Sequence, residues 1–210
     1  MVRLRSSIVS LVALVALAAC SDAPAVLEPT LDASASAARK PKGGSTAPTS
    51  PTAPTSPTSP STGTTVTGCD GSAVALTGDE KAQLDLHNAR RSQLGLATFC
   101  VHPALMSAAR AHSADMMAKN YMSHTSADGT AFNTRIANHG YPGWYVGENI
   151  AWGSSYLGTA SSVFDWWVKS PAHYANITNG GLREVGIGVA YGWYQGYSGA
   201  AVWTVDFGTR

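Results

Sequence analysis

The chain has 210 residues, 13% of them charged, and a formal net charge of +1. Residues 69–210 hold nine Lys or Arg against ten Asp or Glu, so no basic field able to grip phosphate exists there and nucleic-acid binding is excluded. Every one of the six Trp lies beyond residue 143, and a segment of about 140 residues is ample for one domain core.

In chain order, the first element is an export signal. Arg3 and Arg5 form its positive start, and Ile8 to Ala19 is an apolar run too short to span a bilayer comfortably. It ends in Leu17-Ala-Ala-Cys20, which resembles the lipobox of bacterial lipoproteins, where the cysteine becomes the lipidated first residue of the mature chain. Residues 1–19 are read as a lipoprotein-type signal peptide and Cys20 as the lipidation site, with free secretion after ordinary cleavage as the alternative. Either route takes the product out of the cytoplasm.

Residues 20–68 collapse to Ala, Ser, Thr, Pro and Gly and contain no aromatic residue, too little apolar surface to offset chain entropy. Pro48, Pro51, Pro54, Pro57 and Pro60 recur at every third position, the period of a polyproline II turn. A semi-rigid spacer reaching at most roughly 150 Å is expected, the alternative being a disordered tail with no geometric role. With Cys20 acylated, Cys69 and Cys100 remain as an even pair in an exported domain, and a disulfide between them is expected. Closing that loop is worth ~3 kcal/mol on the chain-entropy model.

The globular part, taken as residues 69–210, opens with helices. Thr77 and Glu80 make a capping-box pattern, and the helix they start runs to about Leu94, with Gly95 as its stop. His87, Asn88 and Arg91 on it are read as a structural hydrogen-bond network. A second helix starts near Pro103 and continues to about Asn120, with Leu105, Ala108, Ala109, His112 and Met116 on one face. His112 is read as a core histidine. A turn at Asp128-Gly129 precedes a short helix around Phe132, Arg135 and Ile136.

Tyr145-Val-Gly-Glu-Asn-Ile-Ala-Trp152 then sets Glu148 amid aromatic and apolar neighbours, where a carboxylate needs a cation, a hydrogen-bond donor or a shifted pKa. His124, in Met122-Ser-His-Thr125, and His173, in Ser170-Pro-Ala-His-Tyr174, flank it in the chain. Two imidazoles and one carboxylate can hold zinc with an open position or form a plain polar network. A helix over about Thr159 to Lys169 is ended by Ser170-Pro171, which leaves His173 just past it. Strand character is read only after that, in Glu184 to Ala190, where Val185, Ile187 and Val189 alternate with glycines. The bare glycine face predicts an inner strand that another element approaches closely. Ala201, Trp203, Val205 and Phe207 alternate in a last strand, paired with it as an antiparallel hairpin.

His87-Asn-x-x-Arg91, Ala-x-x-His112, Met122-Ser-His-Thr125, Gly147-Glu-Asn149, Ser170-Pro-x-His173, Val185-Gly-Ile-Gly188 and Trp203-Thr-x-x-Phe-Gly208 occur in the order seen in the CAP superfamily. That superfamily groups cysteine-rich secretory, antigen 5 and pathogenesis-related proteins, and the chain resembles its bacterial branch over about residues 74 to 208. The resemblance implies an α/β (α+β) fold: a single domain built as a three-layer α-β-α sandwich with a central antiparallel sheet. It also implies a cleft that in many members binds a divalent metal through two His and two Glu. His124 and Glu148 match one of each. Where eukaryotic members carry the second Glu, this chain has Ser170 or nearby Lys169, and where they have Gly-His before the final strand it has Gly196-Tyr197.

Three function classes follow. The favoured one is an exported, lipid-anchored, non-enzymatic binding module of the bacterial envelope. Relatives that bind lipids, sterols or envelope components imply it, and the aromatic supply after residue 140 suits such ligands. The second is a metal-assisted hydrolase, with His124, Glu148 and His173 as ligands of Zn2+ or another divalent ion, or with Glu148 as general base. The third is a purely structural envelope protein in which Asn149 and the other polar residues only brace the fold. A monomer held to the membrane by its N-terminal lipid is the expected state.

Overall fold

The computed structural model describes residues 63–210. The signal peptide, Cys20 and the expected linker as far as residue 62 lie outside the described residues. Strand structure starts inside the stretch assigned to the linker, because Thr64, Thr65, Val66 and Thr67 are all β-branched. They form β1 (Thr64–Thr67), antiparallel to β2 (Ala73–Leu76). The turn between them is closed by Asp70, whose carboxylate accepts from the Ser72 backbone N–H at 3.0 Å and hydroxyl at 2.6 Å.

The Thr77 capping box then starts α1 (Gly78–Gln93): the Glu80 N–H donates to Thr77 Oγ1 at 3.2 Å, and the Thr77 N–H donates to Glu80 Oε2 at 2.8 Å. After β3 (Cys100–Val101), Pro103 occupies the first turn of α2 (Pro103–Lys119), which ends at Asn120 in the left-handed conformation. Next come α3 (Phe132–Asn138), β4 (Tyr145–Ser154), a 3-10 turn at Ser155–Gly158, α4 (Ala160–Lys169), α5 (Pro171–Thr178), β5 (Glu184–Tyr194) and β6 (Tyr197–Thr209).

β4 and α5 differ from expectation. β4 lacks a clean alternation because Glu148 and Asn149 are adjacent polar residues buried on opposite faces of the strand. Pro171 both ends α4 and starts α5, since a proline at the first helical position loses no intrahelical bond. His173 therefore lies in a helix.

The main sheet has the order β3-β5-β6-β4. β5, β6 and β4 are antiparallel, as expected, but the two-residue β3 adds a parallel pairing, Cys100 opposite Glu184, so the sheet is mixed. The Cys69–Cys100 disulfide, with Cα atoms 5.3 Å apart, ties β3 to the segment after β1.

Helices cover both faces. Val185, Ile187, Trp203, Val205 and Phe207 join Leu84, Phe164 and Trp167 in the larger core, under α1 and α4. On the opposite face, Gly186 and Gly188 let α2 come to backbone contact: a Cβ on Gly186 would lie 2.0 Å from the Leu105 carbonyl carbon, and one on Gly188 2.4 Å from that of Ala109. β5 is thus the inner strand that its glycines predicted.

The polar residues of α1 hold its far end to the rest of the domain. Asn88 clasps Phe99 by donating to its carbonyl at 3.1 Å and accepting from its N–H at 2.7 Å. The buried Arg91 guanidinium stacks 3.8 Å from the Phe99 ring centre and donates to the carbonyls of Ala97, Ile177, Asn179 and Leu182. His87 sits among the rings of Phe99, Phe164, Trp167 and Phe207, with Nδ1 2.8 Å from the Gln83 carbonyl.

Candidate functional site: an edge-strand cleft with its own cation

β4 is an edge strand, and successive side chains point to opposite faces of the sheet. Glu148 points toward α2 and α3, while Asn149 points toward α5. The seam with α5 is polar: the Asn149 amide donates to the His173 carbonyl at 3.0 Å, and the Asn176 amide donates to Asn149 Oδ1 at 2.8 Å and to the Glu148 carbonyl at 3.2 Å. The Trp167 indole N–H reaches the Ile150 carbonyl two residues further along, at 3.2 Å.

With the Glu148 carbonyl turned outward to Asn176, the facing residues Glu148 and Asp206 form a non-hydrogen-bonded antiparallel pair, the kind in which side chains approach most closely. Both are buried. The Glu148 side chain, 1% exposed, bonds to two partners: His124 Nδ1 at 2.7 Å from Oε1, and Arg135 Nη2 on Oε2. A carboxylate only accepts, so the bonded His124 nitrogen carries its proton toward Glu148. Arg135 Nη1 donates in addition to Ser126 Oγ at 2.8 Å and to the His124 carbonyl at 3.3 Å, fixing the loop that carries the histidine.

Two further titratable groups lie behind this pair. Burial, and then the Glu148 charge, hold the Asp206 carboxyl well above the usual carboxylate range, and the Arg135 charge opposes this only in part. As an anion Asp206 has no donor for either oxygen. His112 on α2 gives its Nε2 proton to the Ser123 carbonyl at 2.8 Å, and its buried Nδ1 has no hydrogen-bond partner. Burial lowers its pKa against the pull of Glu148.

The outer wall of the cleft is half exposed. The His124 side chain is 50% exposed. His173 pairs Nδ1 with Ser170 Oγ at 2.7 Å, and its ring centre lies 4.9 Å from that of Trp166, itself 43% exposed. Burial, with His124 nearby, pushes the His173 pKa down to about 4. Trp144, 85% exposed, and Tyr145 add a second aromatic pair at the start of β4.

The structure thus bonds His124 to Glu148 and leaves His173 bonded to neither. Among the described residues, the one group of three or more His, Cys, Asp or Glu with donor atoms within 4.8 Å of one another is Cys69, Cys100 and Glu184, and its cysteines are bonded to each other. A metal site of two His and two Glu does not fit the cleft. Both Glu148 oxygens are engaged, one by a guanidinium, and the second glutamate and the histidine before the last strand are absent from the sequence. Sequence reasoning missed Arg135 and Asp206 as site residues. The demand of a buried Glu148 for a cation was the signal for the first, and a charged residue inside the last strand was the signal for the second.

An α-β-α sandwich domain with a polar cleft on the edge strand of its sheet is the class that fold and site define. Residues 84–207 match the cysteine-rich secretory protein (CAP) family, and the chain belongs to that family. It is 33% identical over 129 residues to the uncharacterized protein YkwD of Bacillus subtilis, which covers 61% of this chain and 46% of that one. It is 31% identical over 118 residues to the uncharacterized membrane protein YlbC of the same organism, covering 56% and 33%. The chain spans less than half the length of each of these relatives. Among solved structures, an extracellular protein with an SCP domain from Bacillus anthracis aligns with a TM-score of 0.55 at 26% identity, covering 63% of this chain and 41% of that one. An outer surface protein of Borrelia burgdorferi aligns with a TM-score of 0.55 at 19% identity, covering 70% and 98%, a likeness of fold alone.

Proposed function

We propose that this CAP-domain protein is exported, held to the bacterial membrane through Cys20, and acts as a non-enzymatic binding module for a lipid or other envelope component. One observation carries the reading: both Glu148 oxygens are committed inside the protein, to His124 and Arg135. A general base or a metal ligand needs an oxygen that solvent or substrate can reach; this side chain is 1% exposed, with a partner on each oxygen, and orients a histidine instead. What faces solvent is an aromatic and imidazole wall of Trp166, His173 and His124, with an apolar body and a few fixed polar groups, the usual make-up of a recognition surface. An extracellular and an outer-surface protein among the structural relatives, and a membrane protein among the sequence relatives, support an export route.

The test is native mass spectrometry of the full chain purified from bacterial membranes. A lipid-range mass is expected on the wild type and absent from a Trp166→Ala/His173→Ala variant. Bare protein mass in both would leave the cleft as a structural brace, and a Cys20→Ser variant still found in the membrane fraction would remove the lipid anchor from the proposal.

A further inference from the structure

The buried cluster already holds an ion pair of its own: the Arg135 guanidinium on Glu148 Oε2, with both side chains buried. A divalent cation would add two charges beside that of Arg135, and would have to displace the guanidinium from Oε2 to gain that oxygen as a ligand. The guanidinium is fixed from outside as well, by Ser126 Oγ and the His124 carbonyl, and the Arg135 side chain is 7% exposed.

We propose that Arg135 is a built-in replacement for a metal ion: its guanidinium is the permanent cation of this cleft, holding Glu148, which in turn holds His124. The metal-bearing cleft that the family resemblance implies fixes its ion with a second histidine and a second glutamate. A covalently tethered cation needs neither, which accounts for Gly196-Tyr197 and Lys169-Ser170 at those positions. The inference concerns how the cleft is assembled and does not depend on which ligand it takes. Arg135 is accordingly a positioning residue, acting on His124 through Glu148.

The experiment is a double-mutant cycle on the full chain, Arg135→Met, Glu148→Gln and both together, with urea unfolding midpoints measured with and without zinc. Each single variant is expected to lose roughly a hundredfold in the folding equilibrium constant, and the double variant to recover much of that loss. Zinc is expected to raise the midpoint of Arg135→Met, whose carboxylate has lost its cation, and to leave the wild type and the double variant unmoved. Arg135→Lys keeps the charge and is expected to stay indifferent to zinc; it carries the test if Arg135→Met does not fold. The proposal is overturned if zinc raises the wild-type midpoint and Glu148→Gln abolishes the effect, or if the double variant is no more stable than Arg135→Met. Ligand binding is not read, so failure here leaves the binding-module proposal standing.

Discussion

Glu148 and Asp206 stand directly opposite each other on β4 and β6, two buried carboxyl groups of which only one is bonded to a cation. Their substitution should be unequal. Asp206→Asn exchanges one neutral group for another of the same shape and is expected to cost less than about 1 kcal/mol, whereas Glu148→Gln strands a buried guanidinium and should cost about 3 kcal/mol. Urea denaturation at neutral pH measures both. Equal losses would mean that Asp206 is ionised in the folded protein.

Acid should destabilise the domain through its buried histidines. His87 is wholly enclosed, and burial pushes its pKa down to about 4, with Arg91 nearby adding to the shift. In the unfolded chain it binds a proton below about 6.5, so between that pH and about 4 the unfolded state holds more protons and stability falls as pH falls. The contribution is complete above pH ~6.5 and amounts to at most about 3 kcal/mol for His87. His173 and His112 shift the same way. Unfolding free energies measured from pH 7.5 down to pH 4 should decline, and His87→Phe should flatten that slope; an unchanged slope would assign the acid sensitivity to other groups.

Gly188→Ala should be among the most damaging single-methyl changes in the chain. The new Cβ meets the backbone of α2 at Ala109, which no side-chain rotation relieves. A loss of about 3 kcal/mol is expected, at the upper end for overpacking. Gly192→Ala makes the control, because there the nearest atoms belong to the flexible Met117 side chain, and its thermal midpoint should drop much less.

Reducing the Cys69–Cys100 disulfide should cost about 3.7 kcal/mol, the closure entropy of a loop with sequence separation 31. Comparing Cys69→Ser/Cys100→Ser with the wild type gives the value. A far smaller loss would show that β1, β2 and α1 are held by packing alone.

Much of this architecture was legible in the residues. Thr77 with Glu80 and Pro103 announced two helices correctly because helix ends leave backbone groups that particular side chains satisfy. The glycines of β5 foretold the close approach of α2. β4 stayed hidden because alternation is a record of one solvated face, and this edge strand has helices over both. Asp206 was passed over for the same reason: the apolar series Ala201, Trp203, Val205, Phe207 gave no role to Thr204 and Asp206, which point into the α2 layer. Glu148 and His124 are hydrogen-bonded, one of the arrangements that their chemistry left open. Arg135 entered the reading only as one side chain of a short helix, since nothing local to Phe132–Asn138 tells which distant carboxylate that arginine will meet.

The side-chain caps on β4 bear on how copies of this protein tolerate crowding. A sheet margin with open carbonyls is a template on which a second chain can lay down a strand, and at high surface density such additions propagate. Here the middle of one margin is already spoken for, since the Glu148 and Ile150 carbonyls are taken by Asn176 and the Trp167 indole. On the other side of the sheet, β3 covers only the first two residues of β5 and has Gly68 bridged to its outer side at Val101. An incoming strand would have to pull the Trp167 indole off the Ile150 carbonyl before it could zip onto the middle of β4. The groups that frame the cleft therefore also guard the middle of this margin against strand addition.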